Sequence, residues 1–249
     1  MDELVESLME ELNCNVVFTI PIFGGIDVYE SVVVTWIIMG IIMVATLLLV
    51  HGLKVRHINN KQAALESAIS FLYRFFEDML GKEGMRYIPY LITVVVYIGI
   101  ANMIGLLGFK SPTKDLNVTA SLAVMSIVLV EAAGIQKKGV KGWLKSFAEP
   151  VPVVLPINVL ELVIRPLSLA LRLFGNVLGA IVVMALVKFV APLIVPLPFS
   201  FYFDIFDGVI QAYVFVFLTS LYIKEAIEFN QKRRLKSWEL SQLLPQSRH

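Results

Sequence analysis

Five stretches of this chain are apolar over lengths that suit a bilayer better than water. A helix needs about 20 apolar residues to cross the roughly 30 Å hydrocarbon core. Runs of that order begin near Ser31, Tyr87, Leu116, Ile157 and Phe199. Composition agrees: 57% of the 249 residues are hydrophobic and 16% charged, where a soluble domain carries about 25% charge. The expected fold class is an all-α membrane protein, one polytopic domain over 1–249, and a water-soluble enzyme is a poor fit.

Charge placement sets the topology. The N-terminal segment, 1–30, is acidic (Asp2, Glu3, Glu6, Glu10, Glu11) and lacks the basic region of a cleaved signal. Its apolar spacing fits a short surface helix or a disordered segment. A first span over 31–53 is followed by Lys54, Arg56 and Lys61, with no Lys or Arg before them. The positive-inside rule then puts the N-terminus outside and this cluster in the cytoplasm. Spans over 87–109 and 116–136 follow. "QKKGVKGWLK" returns basic charge to the inner side, and "KRRLK" at 232–236 begins a cytoplasmic tail over 230–249. The reading is a multi-pass cell (plasma) membrane protein with five crossings.

Residues 61–81 differ. Leu65, Ala68, Ile69, Leu72, Phe75, Phe76 and Met79 recur at helical spacing, Glu66, Arg74, Glu77 and Asp78 take the other face, and Gly81 marks a stop. An amphipathic helix on the cytoplasmic interface and a helix packed on its neighbours are both open. The last two apolar stretches are too long for upright spans. Residues 157–195 as one helix would measure about 60 Å, so 157–191 and 199–229 are expected to form a long, strongly tilted hairpin.

That hairpin carries a polar stripe. Glu161, Arg165, Ser168, Arg172, Asn176 and Gly179 are spaced 4, 3, 4, 4 and 3 residues apart, which puts them on one helical face at about 100° per residue. The second arm carries Asp204, Gly208, Gln211, Thr219 and Tyr222, with Asp207 and Glu225 at its edge. Asp115, Asn117 and Thr119 open the third span, and Glu131 lies near its inner end. Most of these have a plain alternative. Asn102, Ser168 and Thr219 suit helix–helix hydrogen bonding, Arg165 can snorkel to the interface, and Asp204 and Glu131 can be hydrated near the two surfaces.

Arg172 resists these plain readings. A guanidinium deep in a bilayer costs roughly 3 to more than 10 kcal/mol, depending on the scale. It lies seven residues deeper than Arg165, too deep to snorkel easily, and the best partner within this chain, Asp204, sits nearer the outer turn. Its partner carboxylate is therefore expected on another protein. Other functions find little support. Cys14 is alone, His51, His57 and His249 form no constellation, and there is no phosphate-binding Gly-Lys motif, HExxH or GxSxG. A secondary transporter or self-contained channel is the main rival, and the internal repeats it would carry are not seen.

Together, "LSLALRLFGN" (167–176), "GVIQAYVFVFLTSLYI" (208–223), and "ANMIGLLGF" (101–109) with "DLNVT" (115–119) resemble subunit a of the F-type ATP synthase, over about residues 30 to 229. The resemblance implies a non-catalytic stator subunit, without cofactor or metal, whose tilted hairpin faces a ring of c subunits. Its other partners would be the b subunits of the peripheral stalk, the rest of the complex and the lipid bilayer; no nucleic acid is implied. It carries ion-translocation roles to Arg172 as the essential arginine, to Asn176 one turn on, and to Gln211 facing it. Asp115, Asn117 and Thr119 match the border of an outer half-channel, Arg165 a basic position, and Glu161 an acidic one near an inner half-channel that Ser168 would share. Tyr222 belongs to the matching last helix. The sequence departs from the pattern at Ile181, where Glu or His is common. The outer path then falls to Asp204, with Asp115 or Asp207 as its companion. Glu131 stands where an apolar or aromatic residue is usual. Protons or Na+ would pass to and from the ring carboxylates.

Overall fold

The structure is a computed structural model and describes residues 15–21, 26–51, 53, 59–107, 109–147, 152–191 and 195–243. The acidic segment at 2–11 and the basic residues Lys54, Arg56 and His57 lie outside the described residues.

The chain opens with a feature that a purely helical reading lacks. Strand β1, Val16–Ile20, pairs antiparallel with β2, Ile26–Tyr29. Val16, Val17, Phe18, Thr19 and Ile20 are all strand formers, and Gly24 and Gly25 stand between the strands in the sequence. Helices then follow: α1 (Glu30–Val50), α2 (Asn60–Leu80), α3 (Ile88–Met103), α4 (Leu116–Ser146), α5 (Leu155–Val190), the short α6 (Pro196–Phe201) and α7 (Gly208–Leu243). A π-helical turn over Tyr202–Asp207 joins α6 to α7. Among the described residues, five helical stretches are long and apolar enough to cross a membrane: Glu30–Val50, Lys82–Leu106, Leu116–Ser146, Leu155–Val190 and Pro196–Ile227.

The core sits between α3, α4 and α7. Ile88, Leu91, Ile98 and Ala101 of α3 meet Ala123, Val130 and Ala133 of α4 and Ala212, Val216 and Ile223 of α7, all buried. Without water between the helices, packing and interhelical hydrogen bonds hold such a bundle, and small residues allow close approach. Gly208 is the clearest case: a Cβ added there would lie 2.9 Å from Asn102 Cβ. In that space Asn102 Nδ2 donates to the Gly208 carbonyl at 3.2 Å, while its Oδ1 accepts from Thr113 Oγ1 at 2.9 Å. Asn102 therefore ties α3 to α7. Tyr97 donates to Thr35 across α3 and α1 at 3.1 Å, and Tyr90 pairs with Ser126 across α3 and α4 at 3.1 Å.

Helix α2 buries Phe76 and Leu80 against this core and leaves Ile69 and Phe71 exposed. It ends at Gly81, whose φ of 67° suits a residue without Cβ. Helices α1 and α5 pack least. Only Leu169, Ala170, Leu173 and Ala185 of α5 are buried, while Ile157, Val163, Leu167 and Leu171 are exposed. So much exposed apolar surface is untenable in water and calls for lipid or protein cover. Helix α5 has 36 residues, about 54 Å of rise, and carries Pro166 without ending there.

Candidate functional site

Helix α5 has one polar face in an otherwise apolar surface, and two cavities open along it. The first, about 290 Å3, is lined by Asn158, Glu161 and Arg165 of α5, Glu131 and Trp143 of α4, and Glu225 of α7. The second, about 610 Å3, is lined by Asn176, Ile181 and Lys188 of α5, Asp204 and Asp207 of the π-helical turn, Gln211 of α7, and Lys110 and Lys114 before α4. Residues 165 and 176 lie about 16 Å apart along the helix axis.

In the first cavity Arg165 is held from three sides. Its Nη2 donates to Glu161 Oε1 at 2.9 Å and to Glu225 Oε2 at 3.0 Å, and its Cζ lies 4.9 Å from the Tyr222 ring centroid. Both carboxylates are half or more exposed, so each pair contributes little net stability and mainly fixes geometry. Glu131 Oε2 accepts from the Trp143 indole N–H at 2.6 Å.

In the second cavity the aspartates are oriented by neutral donors. Ser200 Oγ donates to Asp204 Oδ2 at 2.7 Å, and Asn176 Nδ2 donates to Asp207 Oδ2 at 2.6 Å. Asn176 also approaches Gln211 Oε1 at 3.5 Å. The wider π-helical turn carries both aspartates; such turns recur where a helix must present side chains out of regular register. Gly105 leaves them room, because a Cβ there would come 3.1 Å from Asp204 Oδ1.

Arg172 lines neither cavity. It lies between Arg165 and Asn176 on α5 and is exposed. Among the described residues it forms no hydrogen bond and no ion pair. Beside it, a Cβ added at Gly175 or Gly179 would meet nothing within 4 Å. Among the described residues those glycines therefore pack against nothing, and they leave an open track on the helix beside Arg172. Ser168 is half-buried on the same helix and lines neither cavity.

The remaining sequence candidates have structural work. Asp115 caps α4, accepting from Asn117 N at 2.9 Å, and receives Ser31 Oγ at 2.5 Å. Thr119 is fully buried and bonds the Leu116 carbonyl at 3.0 Å. Asn117 borders a separate groove of about 720 Å3 with Thr35, Tyr90 and Tyr97. None of the three lines the Asp204 cavity. Loss of a cap costs about 0.5–2 kcal/mol. Asp115→Ala is therefore expected to lower the thermal unfolding midpoint, measured by calorimetry on the purified protein. Asn is as good a cap, so Asp115→Asn is expected to hold the midpoint, and ion transport by that variant reads the charge alone.

Sequence reasoning missed Trp143 and the lysines of the second cavity. Lys188 was visible as the single lysine in the apolar run over 157–195. Trp143 had no sequence signal beyond the glycines at 139 and 142.

Residues 32–224 match the ATP synthase A chain family. The chain is 38% identical over 201 residues to ATP synthase subunit a of Moorella thermoacetica, covering 80% of this chain and 91% of that one. It is 32% identical over 205 residues to ATP synthase subunit a 2 of a Bradyrhizobium species, covering 82% and 91%. It is 32% identical over 209 residues to ATP synthase subunit a of Legionella pneumophila, covering 84% and 90%.

Proposed function

The chain belongs to the ATP synthase A chain family, and we propose that it is the stator ion channel of an F-type ATP synthase, feeding two half-channels to the carboxylates of a c-ring. The observation that carries this reading is Arg172, exposed and unpartnered among the described residues, between two polar cavities and beside an open glycine track. Its partner is then a ring carboxylate passing along that track, against the hairpin of α5 and α7.

The Asp204 cavity is the outer half-channel, with Asn176, Asp207 and Gln211 along it. Asp115 caps α4 one residue after Lys114, which lines that cavity, and Asn117 and Thr119 follow on α4 without lining it. The Glu131 cavity is the inner half-channel, with Glu161, Arg165 and Tyr222 around it and Ser168 toward Arg172. An ion entering from outside neutralises a ring carboxylate, which can then face lipid; the ionised form could not do so cheaply. After nearly a turn the site reaches the inner cavity, where the ion leaves. Arg172 favours the ionised carboxylate between the two and repels a cation that would cross directly. The subunit does no ATP chemistry itself. It works with the c-ring, the b subunits and the rest of the complex, in the plasma membrane with its N-terminus outside and its C-terminus in the cytoplasm.

Reconstitution with and without this chain tests the reading. Vesicles holding the complex are expected to take up protons or Na+ on ATP addition, measured by a pH dye and by 22Na+. Vesicles lacking only this chain are expected to hydrolyse ATP without uptake, and adding it back restores transport. Ion conduction by the chain alone, without a ring, would instead establish the self-contained channel.

A further inference from the structure

Helix α4 does not run straight. At Gly139 the backbone takes φ 72° and ψ 160° inside an otherwise regular helix. A residue with a Cβ is strained in that region. The bend brings Trp143 back onto the arm that precedes it. Trp143 Nε1 lies 2.6 Å from Glu131 Oε2, although twelve residues of straight helix would separate them by about 18 Å. The returning arm is fixed at further points. The Trp143 ring packs edge-on against Phe147, centroids 4.9 Å apart, and its Cδ1 lies 3.6 Å from where a Gly134 Cβ would be. The Phe147 carbonyl accepts from Asn158 Nδ2 at 2.9 Å, which pins the arm to the start of α5.

Glu131, Trp143 and Arg165 all line the same cavity. Arg165 is already engaged by Glu161 and Glu225. Glu131 is instead held by an uncharged donor, which orients the carboxylate and occupies one oxygen while leaving the other to bind an ion. We propose that Trp143 is a positioning residue for ion transfer at the inner face: its N–H aims Glu131 into the cavity as an ion relay, and the Gly139 bend puts it there. A proton taken from cavity water forms an O–H bond on Glu131 as the donor's O–H bond breaks, and that bond breaks again as the proton passes to the next water; Na+ would only exchange its coordinating oxygens. The proposal rests on the reading of this cavity as the inner half-channel.

The test uses the whole complex in inverted vesicles, whose inner face is accessible. ATP-driven uptake is measured against external ion concentration, and ATP synthesis against internal ion concentration. Trp143→Phe keeps an aromatic ring against Phe147 and removes the donor. It is expected to raise the half-saturating ion concentration at the inner face about three- to tenfold and to leave the outer-face value unchanged. Glu131→Gln should give the same one-sided shift, Glu131→Asp should recover part of it, and Trp143→Phe should add nothing to Glu131→Gln, because both act through one group. Gly139→Ala displaces the arm with the indole intact and should reproduce the shift. The proposal is overturned if assembled complexes bearing Trp143→Phe and Gly139→Ala match wild type, if both faces shift alike, or if the effects of Trp143→Phe and Glu131→Gln multiply. Transport that persists without the chain would overturn the parent reading instead, so the two failures are distinguishable.

Discussion

Vesicles bearing Arg172→Ala are expected to lose ATP-driven ion uptake by about two to three orders of magnitude while the complex still assembles. The size follows from simple electrostatics. At about 4 Å and an effective dielectric near 20, a guanidinium attracts a carboxylate by about 4 kcal/mol. That corresponds to roughly three pKa units on the ring carboxylate, hence up to about a thousandfold in the tendency to give up its ion. On the proposed mechanism, a ring site passing a stator without Arg172 would stay neutral and carry its ion round unexchanged. Assembly should survive because the side chain is exposed and makes no hydrogen bond or ion pair among the described residues. Arg172→Lys keeps a charge but not the planar fork that grips a carboxylate through two parallel bonds, so it too is expected to fall well short of wild type. Uptake by Arg172→Ala at the wild-type rate would return Arg172 to a structural role.

The second large effect belongs to the Asp204 cavity. Asp204→Asn combined with Asp207→Asn is expected to cut ion uptake at least about tenfold, in the range of positioned proton-transfer groups, with ATP hydrolysis and assembly retained. Each aspartate is held by one neutral donor, Ser200 at 2.7 Å and Asn176 at 2.6 Å. Each therefore keeps an oxygen for the ion path. Either alone can still pass an ion, so the single variants should lose much less than the double, and this non-additivity is the sign of a shared route. The measurement is uptake rate in reconstituted vesicles for both singles and the double. Equal rates in all four proteins would remove this cavity from the path.

How far the sequence reaches can be read from individual residues. The long apolar helices were legible because a bilayer imposes a length and a polarity on any span, and both are written in the order of residues. The hairpin of β1 and β2 was not, because strands of five and four residues give little periodicity beside long helical runs. The conspicuous charge at Arg172 was legible for the same reason as the spans: lipid penalises it wherever the chain folds. The pairing of Asn176 with Asp207 was not, since it depends on where the π-helical turn places residues 31 positions further on. Nor was the Trp143–Glu131 contact, because nothing local says that Gly139 reverses the chain rather than ending a helix. Asp115 shows the opposite case. The family resemblance ties it to ion access, and the side chain is also the cap that α4 needs.

The exposure of Arg172 has a consequence for biogenesis. A newly inserted copy of this chain, before any other subunit reaches it, presents a guanidinium and a bare glycine track to lipid on α5. That copy is at its least stable, because the charge is solvated only by whatever water the bilayer admits. If the chain docks on a ring as proposed, that contact would both cover the apolar rows of α5 and give the charge a counter-ion. On that reading the penalty on the lone guanidinium is removed only when its partner carboxylate arrives, so the charge itself makes the isolated subunit the less stable form.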